Sequence, residues 1–104
     1  MLESPILHVN GDDTEAVIFA LSLSFAYRQK FKKPVIVDMY CYRRLGHNEG
    51  DEPFFTQPIM YKAIKSHNKI TQIYSEKLIN SKIIDKEYVD KAKANWREYL
   101  EVEF

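Results

Sequence analysis

One cysteine, three glycines and four prolines in 104 residues exclude several kinds of protein at once. A lone Cys41 cannot close an internal disulfide, so disulfide-stapled secreted scaffolds are ruled out and a reducing compartment is the simpler expectation. Neither sign of charge is in excess: fifteen basic residues balance fifteen acidic ones, which removes the electrostatic case for a nucleic-acid or membrane partner. No apolar run approaches the roughly 20 residues of a membrane-spanning helix. The opening Met1-Leu2-Glu3-Ser4-Pro5 lacks the basic start and apolar stretch of a secretory signal. Repeats, low-complexity tracts and flexible linkers are missing too. The expectation is a soluble, intracellular-type chain. What is plentiful is aromatic: Phe, Trp and Tyr make up 13% of the residues, enough for a core or interface built partly on rings.

The periodicities alternate in kind. Pro5–Asn10 (PILHVN) reads as a short strand closed by Gly11-Asp12-Asp13. From Thr14 to about Phe31 the apolar residues recur at helical spacing, with Val17, Ile18, Leu21 and Phe25 on one stripe. Asp12 or Asp13 suits the cap, and Glu15 suits the positive first turn. Lys30, Lys32 and Lys33 suit the negative end, and Pro34 stops the helix. Pro34–Tyr42 (PVIVDMYCY) is nearly continuous in apolar character, the pattern of a strand buried on both faces in a parallel sheet. Cys41 within it counts as a small hydrophobe. Strand, helix and strand with short joints make a right-handed βαβ unit of an α/β fold. Three helices follow: from Pro58 through Ile64, over Thr71–Ile79, and from Asp85 to about Glu101. The second strand needs a neighbour on each edge and a helix on each face, and only one other strand is present. The sequence therefore reads as part of a larger sheet followed by a helical appendage.

Between the second strand and the next helix lies a polar segment, Arg43–Pro53 (RRLGHNEGDEP). In open α/β sheets ligands gather beyond the carboxyl ends of strands, so chemistry is sought here first. His47 is the leading candidate, because imidazole is the commonest proton-transfer group in active sites. The alternative is a loop histidine that only hydrogen-bonds backbone. Arg43 has a guanidinium fork that fits a substrate carboxylate, or it holds the loop by ion-pairing with Glu49, Asp51 or Glu52. For Arg44 the ion pair is the reading. The acidic residues around His47 have the spacing of neither a helical zinc pair nor a calcium loop, so no metal site is assigned. His8 is expected in a core or interface and His67 at an exposed helix end. Phe54-Phe55 is expected to be core, or a surface covered by other protein. Gly46 and Gly50 are expected to let the loop turn tightly.

Taken in order, these residues resemble a known family. HVNGDDTEAV (His8–Val17) and FKKPVIVDMYCYRRLGHNEGDEPFFTQPIMYKAI (Phe31–Ile64) are similar to the thiamine-diphosphate-dependent first components of 2-oxoglutarate dehydrogenase complexes. Members of that family carry HVN-(Gly/Ala)-Asp-Asp-Pro-Glu-Ala, then CYRR-x-GHNE-x-Asp-(Glu/Asp)-Pro, then TQP-x-MY. The likeness is close through Ile64 and looser beyond. Thr14 stands where the family usually has proline, and both suit a helix start. The run Tyr42-Arg43-Arg44-Leu45-Gly46-His47 is shared with pyruvate and branched-chain 2-oxoacid dehydrogenases. Asn48-Glu49 and Thr56-Gln57-Pro58 favour the 2-oxoglutarate branch.

The resemblance implies an internal stretch of a much longer enzyme. Residues 1–56 correspond to the C-terminal part of its transketolase-like, diphosphate-binding α/β domain, and residues 57–104 to a helical connector. The implied reaction is oxidative decarboxylation of 2-oxoglutarate, with succinyl transfer to a lipoyl group, in the tricarboxylic acid cycle. Thiamine diphosphate and magnesium are the implied cofactors of the complete enzyme. The family's Gly-Asp-Gly-like motif and following asparagine pair, which hold magnesium and diphosphate, do not occur here. No residue of this chain is therefore assigned to cofactor or metal, and the chain alone is expected to bind neither and to be inactive. Implied partners are the rest of the enzyme chain, a second copy in a homodimer, and the dihydrolipoyl succinyltransferase of the complex, in a bacterial cytoplasm or mitochondrial matrix. His47 is implied to contact the cofactor–substrate adduct or the incoming lipoyl group, and Arg43 to orient substrate. The alternatives are a 2-oxoadipate dehydrogenase, a 2-oxoglutarate decarboxylase without lipoyl transfer, and a non-catalytic structural or interaction fragment.

Overall fold

Two short apolar runs, Ile6–Asn10 (β1) and Ile36–Tyr40 (β2), pair as a parallel ladder in the computed structural model, which describes residues 3–104. Ile6 stands opposite Ile36, and the register continues to Asn10 opposite Tyr40. A parallel pair needs a crossover, supplied by helix α1 (Thr14–Phe31). Asp13 starts it: in extended conformation, its side chain accepts from the Ala16 N–H (3.0 Å). Lys32 ends it, turning left-handed (φ 54°) and returning its N–H to the Arg28 carbonyl (3.0 Å). The expected βαβ unit and α/β class are present.

α1 packs on both strands. Leu7, Val9 and Val37, alternating along the strands, are the sheet residues that lose solvent, and Val9 is buried together with Ala20 of the helix. Their alternates Ile6, His8, Asn10, Ile36, Asp38 and Tyr40 stay exposed. One crossover helix covers one face, so β2 is not buried on both faces as its composition predicts. His8 likewise lies outside the core. Its Nδ1–H donates to the Asp38 carboxylate directly across the ladder (2.8 Å). Cys41 is exposed just past the end of β2 rather than packed within the strand.

Beyond the loop come a 3-10 turn at Pro53–Phe55 and helices α2 (Pro58–Ser66), α3 (Ile70–Asn80) and α4 (Lys86–Glu103). The chain divides into two compact units, the first ending at Ile70 and the second being Thr71–Phe104. In the first, α2 packs on the 3-10 turn, and its Tyr61 and Ile64 are buried. In the second, Lys82 turns left-handed (φ 57°) after α3, and Asp85 caps α4 by accepting from the Tyr88 N–H (2.7 Å). Among the described residues no helix is long and apolar enough to cross a membrane.

The accessible surface is 9257 Å². Two separate folded bodies of about 70 and 34 residues would expose roughly 7,300 Å² between them. Large apolar side chains are among the exposed ones: Phe19, Phe25, Tyr40 and Phe55 are all mostly exposed.

Candidate functional site

Because β1 and β2 are parallel, their carboxyl ends lie side by side, and the segments that leave them start from one edge of the sheet. The Gly11 N–H donates to the Tyr40 carbonyl (2.7 Å) and ties the two exits together. From this edge the loop after β2 runs to the 3-10 turn.

Short-range hydrogen bonds shape that loop. The Asn48 side-chain oxygen accepts from the Gly50 N–H (3.1 Å), and the Asn48 N–H donates to the Asp51 carboxylate (3.2 Å). Glu52 accepts from the Phe54 N–H (3.0 Å) and starts the 3-10 turn. Two of the three carboxylates proposed to pair with Arg43 are thus engaged by backbone donors. Arg43 forms none of the expected ion pairs among the described residues; its Nη1–H donates to Nδ1 of His47 (3.2 Å). A guanidinium only donates, so Nδ1 accepts and the neutral ring carries its proton on Nε2. The two sequence-predicted catalytic residues are therefore in contact, on an exposed loop beyond the strand ends.

The loop turns tightly at Asn48–Asp51, where the Asp51 N–H donates to the Asn48 carbonyl (3.2 Å), although neither Gly46 nor Gly50 has positive φ. A Cβ on Gly46 would lie 2.5 Å from the Asp51 Cβ, so glycine is needed for close approach where the loop folds onto itself. A Cβ on Gly50 would meet nothing nearer than 3.6 Å.

A second group gathers at the same edge, and sequence reasoning had scattered its members. The Nε2–H of His67, at the end of α2, donates to the Asp12 carboxylate (2.8 Å), so Asp12 is not the helix cap; Asp13 is. The His67 ring stands edge-on to Tyr42 (centroids 5.2 Å apart, 83° between planes). Arg44 donates to the Tyr42 hydroxyl (3.1 Å) and the His67 carbonyl (2.9 Å), rather than forming an ion pair. Asp12, Tyr42 and His67 rim an open hollow of about 250 Å³ whose other walls are Met60, Ala63 and Ile64 of α2. The one sequence signal for this grouping was topological: parallel strands deliver both of their exits to one edge.

Among the described residues no group of three or more His, Cys, Asp or Glu is placed to hold a metal ion. Magnesium with a diphosphate needs several oxygen ligands on the metal, and the residues of this segment do not fit it. Phe54 carries Lys65 Nζ over its ring (4.9 Å), whereas Phe55 is 86% exposed.

Known proteins agree with the motifs. The 2-oxoglutarate dehydrogenase E1 component of Brucella anthropi is 60% identical over all 104 residues, and those of Brucella ovis and Brucella canis are 57% identical over the same span. In each case the whole of this chain is matched, and it spans 10% of the relative's length. Residues 2–104 also match the family described as Dehydrogenase E1 component, and the chain belongs to that family.

Proposed function

We propose that this chain is the stretch of a 2-oxoglutarate dehydrogenase E1 component that brings His47 and Arg43 to the reacting centre. The observation that carries the proposal is the Arg43–His47 hydrogen bond on a loop leaving the carboxyl edge of a parallel sheet. In this reading residues 1–56 close the diphosphate-binding domain and residues 57–104 connect it onward. The rest of the polypeptide, with a second copy, covers the exposed apolar faces. Thiamine diphosphate and magnesium are held by that remainder, and the cofactor supplies the electron sink for decarboxylation of 2-oxoglutarate. The oxidant would be the lipoyl disulfide of the succinyltransferase, which would take two electrons as its S–S bond opens and leave the succinyl group as a thioester on one sulfur beside one thiol.

The residues of this chain act by position and by hydrogen bonding. Arg43 orients the His47 ring and fixes its tautomer through Nδ1, which leaves Nε2–H as the donor. A donor placed where negative charge develops on oxygen or sulfur stabilises that charge without reorganising. Arg43 uses one of its five N–H groups on His47, and the others can meet a substrate carboxylate.

The test uses a hybrid enzyme: the Brucella anthropi E1 component with residues 1–104 in place of its matching stretch. In that hybrid His47→Ala is expected to leave folding and cofactor binding nearly intact, while lowering overall turnover about a hundredfold or more. A histidine that only braces the loop would instead cost about 1–3 kcal/mol of stability and leave turnover per folded molecule near normal. Thermal unfolding and complex activity, measured on the same preparation, separate the two. Near-normal turnover in a stable His47→Ala variant removes His47 from catalysis.

A further inference from the structure

We infer that Asp12, Tyr42, Arg44 and His67 form a latch that positions the loop bearing Arg43 and His47, with His67 as its centre. The inference rests on the reading of His47 given above and extends it to residues that do not touch the reacting atoms.

His67 is held at three of its atoms. Its backbone N–H donates to the Ile64 carbonyl (3.2 Å), its carbonyl accepts from Arg44 (2.9 Å), and its Nε2–H donates to Asp12 (2.8 Å). Those bonds join three segments far apart in sequence: the β1–α1 joint, the first residues of the loop, and the end of α2. The other end of the loop is fixed as well, because α2 packs on the 3-10 turn that closes it. α2 therefore works as a rigid strut, bound to the loop's start through His67 and to its finish through Pro53–Phe55. Arg44 bonds to both Tyr42 and His67, with its guanidinium 5.5 Å from the Tyr42 ring centre. Anchoring Arg44 fixes the backbone of Arg43, its neighbour, which in turn holds His47. Asp12, Tyr42, Arg44 and His67 each engage another member of the latch, which suits positioning residues better than a second reacting centre.

Hydrogen exchange and turnover together test this, because only the second depends on the reading of His47. Exchange is followed at the loop amides of Asn48, Gly50 and Asp51 in the 104-residue chain and in the hybrid enzyme, with α1 amides as the internal reference. His67→Ala and Arg44→Ala are expected to speed loop exchange about tenfold or more, as local opening becomes easier. α1 should not respond. His67→Gln, whose amide can still donate to Asp12, should recover most of the protection. In the hybrid, His67→Ala should lower kcat about ten- to a hundredfold, the effect of misplacing a reacting group by about an ångström, with KM little changed. Adding His47→Ala to His67→Ala should cost much less than His47→Ala alone, because the two act as a unit. Faster loop exchange with normal turnover keeps the latch and overturns the role given to His47. Loop exchange equal in wild type and His67→Ala in both proteins overturns the latch, whatever turnover does.

Discussion

α1 and α4 are both eighteen residues long, and both carry large side chains in the open. Their sequences say different things about that exposure. α1 has three charged residues, Glu15, Arg28 and Lys30, and its apolar side chains are not confined to the expected stripe: Ala20 is the buried residue, while Ile18, Leu21 and Phe25 of that stripe are exposed together with Phe19 and Leu23. α4 has nine charged residues, and its half-buried Val89 and Leu100 lie among them. A helix apolar all round is an interior helix, whereas one apolar stripe on a charged helix is a surface design. Equal exposure in this chain thus has two meanings. On α1 it marks surface that other protein covers in the proposed enzyme. On α4 it marks a mostly solvated face with a few rings, such as the stacked Trp96–Tyr99 pair (5.5 Å).

Charge substitution breaks or sharpens that contrast, and it should give the largest effect. In the hybrid enzyme Phe19→Lys or Phe25→Lys buries an unpaired ammonium at a penalty of several kcal/mol, so soluble, assembled protein should be lost. Lys93→Glu on α4 is a surface change expected to stay within about 0.5 kcal/mol. Soluble yield and thermal unfolding read both. Normal assembly of both α1 variants would mean that this helix is solvated after all.

The same distinction explains what could be read from the sequence. The limits of α1 match expectation to the residue because every signal is local: Asp13 at the cap, cations at the end, Pro34 as the stop. α3 and α4 fall within one or two residues for the same reason. The 3-10 turn was not foreseen, because Glu52 and Pro53 stand in a polar run where no period shows. β2 is a strand as its composition predicts, but it is not buried on both faces: among the described residues it has β1 as its one neighbour and α1 over one face, and composition cannot tell which faces are covered. That His47 and Arg43 lie close together was legible because one loop carries both. Their mutual bond was not, because opposite charge made Glu49, Asp51 and Glu52 the obvious partners, while backbone N–H groups had the better geometry for Asp51 and Glu52. The Asp12–His67 bond spans 55 positions and has no local signature.

The two loop glycines offer a second contrast of intermediate size. Gly46→Ala forces a Cβ against the Asp51 backbone and side chain, and overpacking of this kind costs about 1–3 kcal/mol. The loop should open and turnover of the hybrid should fall with it. Gly50→Ala meets only ordinary contact with Asn48 and should leave exchange and turnover near wild type. Equal effects at the two positions would show that the loop's form depends on backbone freedom in general, and not on the approach of Gly46 to Asp51.

The smallest effect returns to the start of α1. Thr14 is the first helical residue, and its hydroxyl is buried without a hydrogen-bond partner among the described residues. Sequences of the similar family usually have proline there. The position suits it: proline has no N–H to leave unpaired at a helix start, and its ring fixes φ near the helical value. Proline also requires the preceding residue to be extended, and Asp13 already is (φ −98°, ψ 93°). Thr14→Pro should therefore stabilise the hybrid enzyme, by about 0.4–1 kcal/mol from the narrower unfolded ensemble and further by removing the unpaired hydroxyl. Thr14→Val separates the contributions, since it deletes the hydroxyl and leaves the backbone free. Denaturant unfolding should rank proline above valine and valine above threonine. Valine equal to proline would assign the whole gain to the hydroxyl, and a destabilised proline variant would mean that the Thr14 N–H or φ is not that of a free first helical residue.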